Sequence, residues 1–101
     1  MATESKKITI LAELNILPGF ENTVLENAEK VWVETRRESG CEAFLFNTKD
    51  KNTIVFIEVF KSEDDFEFHK KAKHTADFLA SLSGKVVGDG PHLTFLNQFI
   101  D

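Results

Sequence analysis

Three residues whose side chains can transfer a proton lie in one short stretch of this chain. Glu58 stands near the end of an apolar run, and His69 and His74 follow within the next segment. A lone carboxylate among apolar side chains is costly to bury, so Glu58 either reaches solvent or sits in a pocket that uses it. Histidine takes and gives protons near neutral pH. The stretch therefore predicts acid–base chemistry carried by a carboxyl and an imidazole.

Each of these residues also has a structural interpretation. His69 could pair with Asp65, one helical turn away, on an exposed helix surface. His74 could cap or pack a break between two helical pieces. Glu58 could make a structural hydrogen bond to a backbone group or to a side chain of the helix above it. The residues alone leave these alternatives open.

A metal site built on the two histidines is not expected. On a straight helix, residues five apart point about 140° away from each other, and the only further ligand evident is His92. The single cysteine, Cys41, excludes an internal disulfide framework and is expected to be a small buried apolar residue. The sequence also contains no cofactor motif, so we expect neither a metal nor a cofactor.

The strands that must position these residues follow from the spacing of apolar side chains. Residues 8–16 alternate between apolar and polar, which predicts a strand with one buried face. Residues 41–48 and 53–60 predict two more strands, which the short polar loop between them should join as an antiparallel hairpin. Residues 92–100 predict a fourth strand.

Two helical segments separate the predicted strands. From Phe20, apolar residues recur every three or four positions for about five turns, until Gly40 stops the helix. Ser62 is expected to cap the second helix. The helical pattern weakens between Ala72 and Thr75, which indicates a break or kink, and the helix ends before Gly84.

The order β-α-β-β-α-β predicts an α+β, ferredoxin-like domain with a four-stranded antiparallel sheet and helices on one face. All 101 residues fit one domain, of which the largely polar residues 1–7 should be flexible. The third strand is apolar on both faces, but the helices of so small a domain can cover only one. We therefore expect the other face to pack against a second copy in a homodimer.

Composition narrows the class of function. The net charge of −5 opposes binding to phosphate backbones, so no nucleic-acid partner is expected. No apolar run is long enough to cross a membrane and the start lacks the apolar segment of a signal peptide, so we expect a cytoplasmic protein without a membrane partner. Ten phenylalanines and no tyrosine favour a core, an interface or a pocket of apolar character.

An ordered set of motifs resembles the antibiotic biosynthesis monooxygenase (ABM) family of dimeric α/β-barrel proteins, over nearly the whole chain. The set consists of Pro18-Gly19, Glu38-Ser39-Gly40-Cys41 and Glu58-x-Phe60, followed at the family's spacing by Ser62, Phe66, His69, His74 and Phe78. The resemblance implies a homodimer, the dimeric α/β barrel, with one pocket per subunit between sheet and helices.

Members of this family include cofactor-free oxygenases of phenols, quinols and anthrones, haem-degrading enzymes, and proteins that process phosphorylated autoinducers. The haem-degrading pattern fits poorly, because its Asn, Trp and His positions hold Ala12, His69 and Leu79. The resemblance therefore implies a cofactor-independent monooxygenase that uses O₂ on a small aromatic or quinol-like compound. The alternatives are an isomerase of a small phosphorylated carbonyl compound and a non-catalytic ligand-binding dimer.

Particular residues are predicted to form the site, and the role of His69 rests mainly on the resemblance. The predicted catalytic residues are His69, acting as a base, together with Glu58 and His74. The predicted substrate-binding residues are Trp32, Phe56, Phe60, Phe66, Phe78 and Asn97. Trp32 also fits a core position and Asn97 a solvent-facing one. The isomerase alternative needs a phosphate anchor, for which Lys70, Lys73 and Arg36 are the candidates.

Overall fold

The structure, a computed structural model, describes residues 6–98. Its elements are, in chain order, β1 (Ile8–Asn15), α1 (Glu21–Arg36), β2 (Cys41–Asp50), β3 (Thr53–Phe60), α2 (Glu63–Lys71), α3 (Lys73–Ser81) and β4 (His92–Leu96). Within the described residues, no helix combines the length and the apolar character needed to cross a bilayer. The N-terminal residues 1–7 are predicted to be flexible, and residues 1–5 of this segment lie outside the described residues.

The four strands form one antiparallel sheet in the order β2-β3-β1-β4. The predicted α+β, ferredoxin-like fold is therefore confirmed. Strands β1 and β3 occupy the middle of the sheet, where Glu58 of β3 lies opposite Ile10 of β1 on one side and Phe44 of β2 on the other. The carboxyl that the sequence singles out is thus at the centre of the sheet.

The apolar core lies between the sheet and the helices. Strand residues Leu14 and Ile54 are fully buried in one cluster with Val24 and Ala28 of α1, and Ile10 is fully buried in a second cluster with Phe60 and Phe66. These positions keep the periods of two in the strands and of three to four in the helix that the sequence predicts. Removing one such aliphatic side chain from water contributes about 1.5–3 kcal/mol.

Strand ends differ from the predicted ones by a few residues. Strand β1 stops at Asn15, and Ile16 makes an isolated bridge to Val86 instead. The hairpin is tighter than predicted, so that β2 continues to Asp50, opposite Thr53. Strand β4 pairs only with β1 and ends at Leu96, where that pairing ends. The last residues of the predicted fourth strand, 99–100, lie outside the described residues.

The predicted break in the second helical segment falls at Ala72. This residue is extended (φ −66°, ψ 146°) and separates α2 from α3. At the other end of α2, the Ser62 hydroxyl accepts a hydrogen bond from the Asp65 N–H at 3.2 Å and donates one to Asp65 Oδ2 at 2.9 Å. The predicted cap is present, and it engages the Asp65 side chain.

Gly40 lets the loop between α1 and β2 approach the start of α2, and this contact is testable. A Cβ at position 40 would lie only 2.2 Å from Cγ and 2.4 Å from Cβ of Asp65. We expect Gly40→Ala to push the loop and helix apart and to lower the free energy of unfolding by about 1–3 kcal/mol, measured by urea denaturation.

Ser39→Ala is the matched control, because Ser39 is the exposed neighbour of Gly40. Its unfolding midpoint should stay close to that of the parent protein. If Gly40→Ala and Ser39→Ala behave alike, the loop and α2 do not approach this closely.

Candidate functional site

Glu58 is buried beneath the helices. Alternation along β3 places it on the same face as Ile54, Phe56 and Phe60, which are all buried. Only 8% of its side chain is exposed. The prediction that this carboxyl occupies a pocket therefore agrees with its position, and a solvent-facing orientation is excluded.

His69 reaches the same region from α2. The buried residues of α2 are Phe66 and His69, which lie one turn apart on the helix. The His69 ring packs against the Phe60 ring, with 4.9 Å between the ring centres. Its Nε2 lies 3.8 Å from Glu58 Oε1. The surface pairing with Asp65 does not occur, because Asp65 is engaged in the helix cap and His69 faces the sheet.

The other ring nitrogen of His69 meets a carboxylate that the sequence analysis did not single out as a site residue. His69 Nδ1 lies 2.9 Å from Glu38 Oε2 and 3.4 Å from the Thr75 hydroxyl. Glu38 belongs to the loop after α1, which is held by backbone hydrogen bonds from Glu38 to Thr35 and from Cys41 to Glu38. The imidazole thus stands between two acidic side chains.

His74 joins this group from the opposite side. Its Nε2 lies 2.5 Å from the same Oε2 of Glu38. Residues five apart would diverge on a straight helix, but the extended backbone at Ala72 turns α3 so that both rings meet one carboxylate. His74 is not among the residues lining the cavity beside Glu58. It borders a second, smaller cleft between α1 and α3.

A cavity of about 330 Å³ lies between the sheet and the helices, next to Glu58 and His69. Its walls are mostly apolar, and its polar lining consists of Glu58, His69, Lys70 and Thr75. An apolar hollow with a few convergent polar groups is the usual form of a small-molecule site. The apolar side chains are Ile10, Ala12, Val31, Phe44, Phe56, Phe66, Phe78, Leu79, Pro91 and Leu93.

The predicted substrate-binding residues separate into three groups. Phe56, Phe66 and Phe78 line the cavity. Phe60 is fully buried behind it, where it supports the His69 ring. The remaining two lie elsewhere: Trp32 donates its indole N–H to the Phe44 carbonyl at 2.9 Å, and Asn97 is exposed beyond the end of β4.

Sequence reasoning missed Glu38, Thr75 and most of the aliphatic wall. Glu38 follows a helix in a polar run, and nothing in its local pattern distinguishes it from a surface residue. Val31 and Phe44 were predictable as buried, but a periodic pattern does not separate a cavity wall from a packed core. The one available signal for Glu38 was its place in the motif that precedes the second strand.

Burial controls the proton affinities in this site. Burial, and secondly the charge of Glu38, raise the pKa of Glu58 to about 7. Burial lowers the pKa of His69 below its ordinary value, while the hydrogen bond and the charge of Glu38 oppose that decrease. The Cys41 thiol also has a raised pKa, about 11, chiefly through burial, which suits an unreactive packing residue.

Glu38, His69 and His74 bring three ligand atoms of the kind that metals prefer within 4.8 Å of one another. Glu38 thus supplies the third ligand that the sequence analysis did not find, whereas His92 is exposed on β4. However, Glu38 Oε2 lies between the two ring nitrogens and contacts both. A metal ion would have to displace both contacts, so we treat the three residues as a hydrogen-bonded cluster.

The fold and the site together define a ferredoxin-like domain with a buried acid–base pair beside an apolar cavity. Solved structures with this architecture cover almost the whole chain. PA3566 from Pseudomonas aeruginosa is 17% identical with a TM-score of 0.88 and covers 98% of this chain and 100% of its own. Rv0793 from Mycobacterium tuberculosis is 16% identical with a TM-score of 0.87 and covers 95% and 98%.

A third similar structure is that of a candidate antibiotic biosynthesis monooxygenase from Nitrosomonas europaea, with 13% identity, a TM-score of 0.86 and coverage of 98% and 96%. At these identities, the likeness establishes the fold alone. Among curated proteins, no significant match is found.

The family itself is established by sequence. The model of the family described as "Antibiotic biosynthesis monooxygenase" matches residues 7–81, which include every element except β4. The chain therefore belongs to the antibiotic biosynthesis monooxygenase family, as the motifs predicted. Membership supports a monooxygenase-like role of a general kind.

The raised pKa of Glu58 predicts how stability depends on pH. In the folded protein this carboxyl keeps its proton up to about pH 7, whereas the ordinary value is 4.5. The folded state therefore binds more protons between these values, and the stability from Glu58 is full below pH 4.5 and lost as the pH rises through 7. Glu58→Gln should gain up to about 3 kcal/mol relative to the parent protein between pH 4.5 and pH 8.

Urea unfolding of both proteins at pH 4.5 and pH 8 measures this gain. His69, whose lowered pKa acts in the opposite direction, is present in both proteins and cancels to first order. Glu29→Gln, at an exposed position of α1, is the control and should show the same difference from the parent at both pH values. A pH-independent difference for Glu58→Gln would contradict a buried carboxyl with a raised pKa.

Proposed function

We propose that this protein is a cofactor-independent monooxygenase that oxidises a small aromatic or quinol-like compound with O₂. The observation that carries the proposal is the position of Glu58 and His69 together at the wall of an apolar cavity. A cavity of about 330 Å³ has room for a small ring compound, and phenyl rings from Phe56, Phe66 and Phe78 offer flat apolar contacts.

In the proposed reaction, His69 Nε2 takes a phenolic or enolic proton from the substrate. The resulting anion gives one electron to O₂, and the substrate radical and superoxide combine to form a C–O bond. The peroxide takes back the proton and loses water. For a substrate carbon that carries two hydrogens, the balance is R₂CH₂ + O₂ → R₂C=O + H₂O, so the substrate supplies all the electrons.

The two polar groups at the cavity wall suit the two halves of this reaction. A neutral imidazole, favoured by the lowered pKa of His69, is the form that accepts a proton. A carboxyl with a pKa of about 7 is partly protonated at neutral pH and can donate a hydrogen bond to the peroxide while the peroxide takes its proton back from His69. The apolar walls keep water away from the anion and the radical pair.

One observation favours the isomerase as a second candidate. Of the three proposed phosphate anchors, Lys70 lines the cavity, where its ammonium also pairs with Glu67 at 2.8 Å. Lys73 instead pairs with Asp77 at 2.6 Å, and Arg36 lies over the Trp32 ring. An isomerase would shuttle a proton without O₂, so turnover under strictly anaerobic conditions separates the two candidates. A non-catalytic binding dimer would bind a ligand without turning it over.

We also propose that the protein acts as a homodimer formed through the sheet face opposite the helices, here called the outer face. By alternation, this face carries Leu11, Leu45, Val55, Ile57 and Val59, and Leu11 and Leu45 flank Ile57 on either side. Leu45 is 54% exposed. A contiguous apolar patch across three strands is costly to leave in water and is typical of an interface.

A charge on the outer face should separate the subunits. We expect the parent protein to have twice the chain mass of 11.5 kDa in sedimentation velocity at micromolar concentration, and Leu45→Lys to have the single mass. Phe68→Lys is the control, since Phe68 is at least as exposed as Leu45 but lies on α2, on the opposite side of the sheet. A parent protein that sediments as a single folded chain contradicts the dimer.

Replacing the base tests the reaction. With a panel of reduced quinones and anthrone-type phenols, His69→Gln should lower the rate of O₂ consumption by about 10²–10⁴, because a general base typically contributes this much. His92→Gln, at an exposed position on β4, should retain the parent rate. Equal rates in the parent and His69→Gln would remove His69 from the mechanism.

A further inference from the structure

Glu38 is a buried acidic residue that the proposed reaction does not use. Only 4% of its side chain is exposed, and it lies outside the cavity lining, behind the His69 ring. One of its oxygens, Oε1, is buried without a hydrogen-bond partner within the described residues. A buried carboxylate with one unsatisfied oxygen costs stability, so packing alone does not explain the presence of Glu38 here.

The contacts of the other oxygen determine the protonation pattern of both histidines. An ionised carboxylate oxygen can only accept hydrogen bonds. With Glu38 ionised, its Oε2, which lies 2.9 Å from His69 Nδ1 and 2.5 Å from His74 Nε2, accepts a hydrogen bond from each of these nitrogens. A neutral His69 that donates from Nδ1 has its lone pair on Nε2, the nitrogen that lies 3.8 Å from Glu58 on the cavity side.

We propose that Glu38 is the positioning residue of His69. It holds the ring in the Nδ1–H tautomer with Nε2 free towards the cavity, and it stabilises the imidazolium that forms when Nε2 takes a proton. His74 is the second donor to the same oxygen and fixes the carboxylate in place. The assignment of tautomer follows from these contacts together with an ionised Glu38, whereas its consequence for turnover rests on the proposed function.

The two partners act on the charge of His69 in opposite directions. The hydrogen bond and negative charge of Glu38 raise the pKa of His69, while the positive charge of His74 lowers it. The titratable or charged groups around His69 are Glu38 from the α1–β2 loop, Glu58 from β3, His74 from α3 and Lys70 from α2 itself. Thr75 adds a neutral hydroxyl at 3.4 Å from Nδ1.

Nitrogen-15 NMR of the imidazole rings tests the proposal without any substrate. The chain has three histidines, so their ring signals can be assigned by single replacement. In the parent protein, neutral His69 should be the Nδ1–H tautomer. Glu38→Gln should move the titration midpoint of His69 to lower pH, and His74→Gln should move it to higher pH, each by the loss of the partner's charge.

Two exposed residues supply matched controls. Glu34→Gln removes the same charge four residues earlier, in the last turn of α1, and His92→Gln removes an imidazole on β4. Neither should move the midpoint of His69. Loss of packing alone would destabilise Glu38→Gln and His74→Gln without producing shifts of opposite sign, so the signs distinguish positioning from a merely structural role.

The Nε2–H tautomer in the parent protein would overturn the proposal by itself, even if Glu38→Gln fails to fold. Shifts of the same sign in the two variants, or none, would also overturn it. Where a substrate is turned over, Glu38→Gln should lower kcat by about 10²-fold at unchanged KM, because it acts through the base. If neither the parent protein nor any variant turns over a substrate, this would count against the proposed function, but the tautomer result would still hold.

Discussion

The contact on which the site depends is that of one buried carboxylate oxygen with two imidazoles. Glu38 Oε2 connects the loop after α1 to His69 of α2 and His74 of α3, so three separate segments converge on one atom. In a nearly water-free surrounding, hydrogen bonds to a charged acceptor are among the strongest that side chains make. This cluster therefore fixes how the helical layer sits on the sheet beside Glu58, and with it the orientation of the ring at the cavity wall.

The cavity follows from the way the second helical segment is divided. A continuous helix would carry its apolar side chains along one straight stripe, whereas the extended residue Ala72 turns α3 away from α2. Phe66 then lines the cavity from one helix and Phe78 from the other, and Ala12, the smallest of the lining residues, belongs to the sheet. The same break brings His74 beside His69. One backbone feature thus accounts for both the open volume and the cluster behind it.

The sequence predicted the fold more completely than the site, for a physical reason. Alternation in β3 and the three-to-four spacing in α1 are local signals, and they sufficed for the order of elements. They left the burial of Glu58 open, because both faces of β3 are apolar. Contacts such as Glu38 with His69 join residues 31 positions apart and leave no local trace. The straight-helix geometry used for His69 and His74 was also wrong once Ala72 is extended. The role predicted for Phe60 rested on family spacing, which locates a residue near a pocket but not on its wall.

Strand β3 contributes to the candidate site with one face and to the outer apolar face with the other. Its even-numbered residues, from Ile54 to Phe60, face the helices and include the one carboxyl of the strand, while Val55, Ile57 and Val59 form the half-buried outer face. Because the period of a strand is two, a shift of one residue in register would exchange these faces and place Glu58 outside. The ladders that pair β3 with both β1 and β2 prevent such a shift. The chemistry proposed for one face and the subunit contact proposed for the other therefore depend on the same register of β3. A change of register would disrupt the buried acid–base pair and the apolar outer face together.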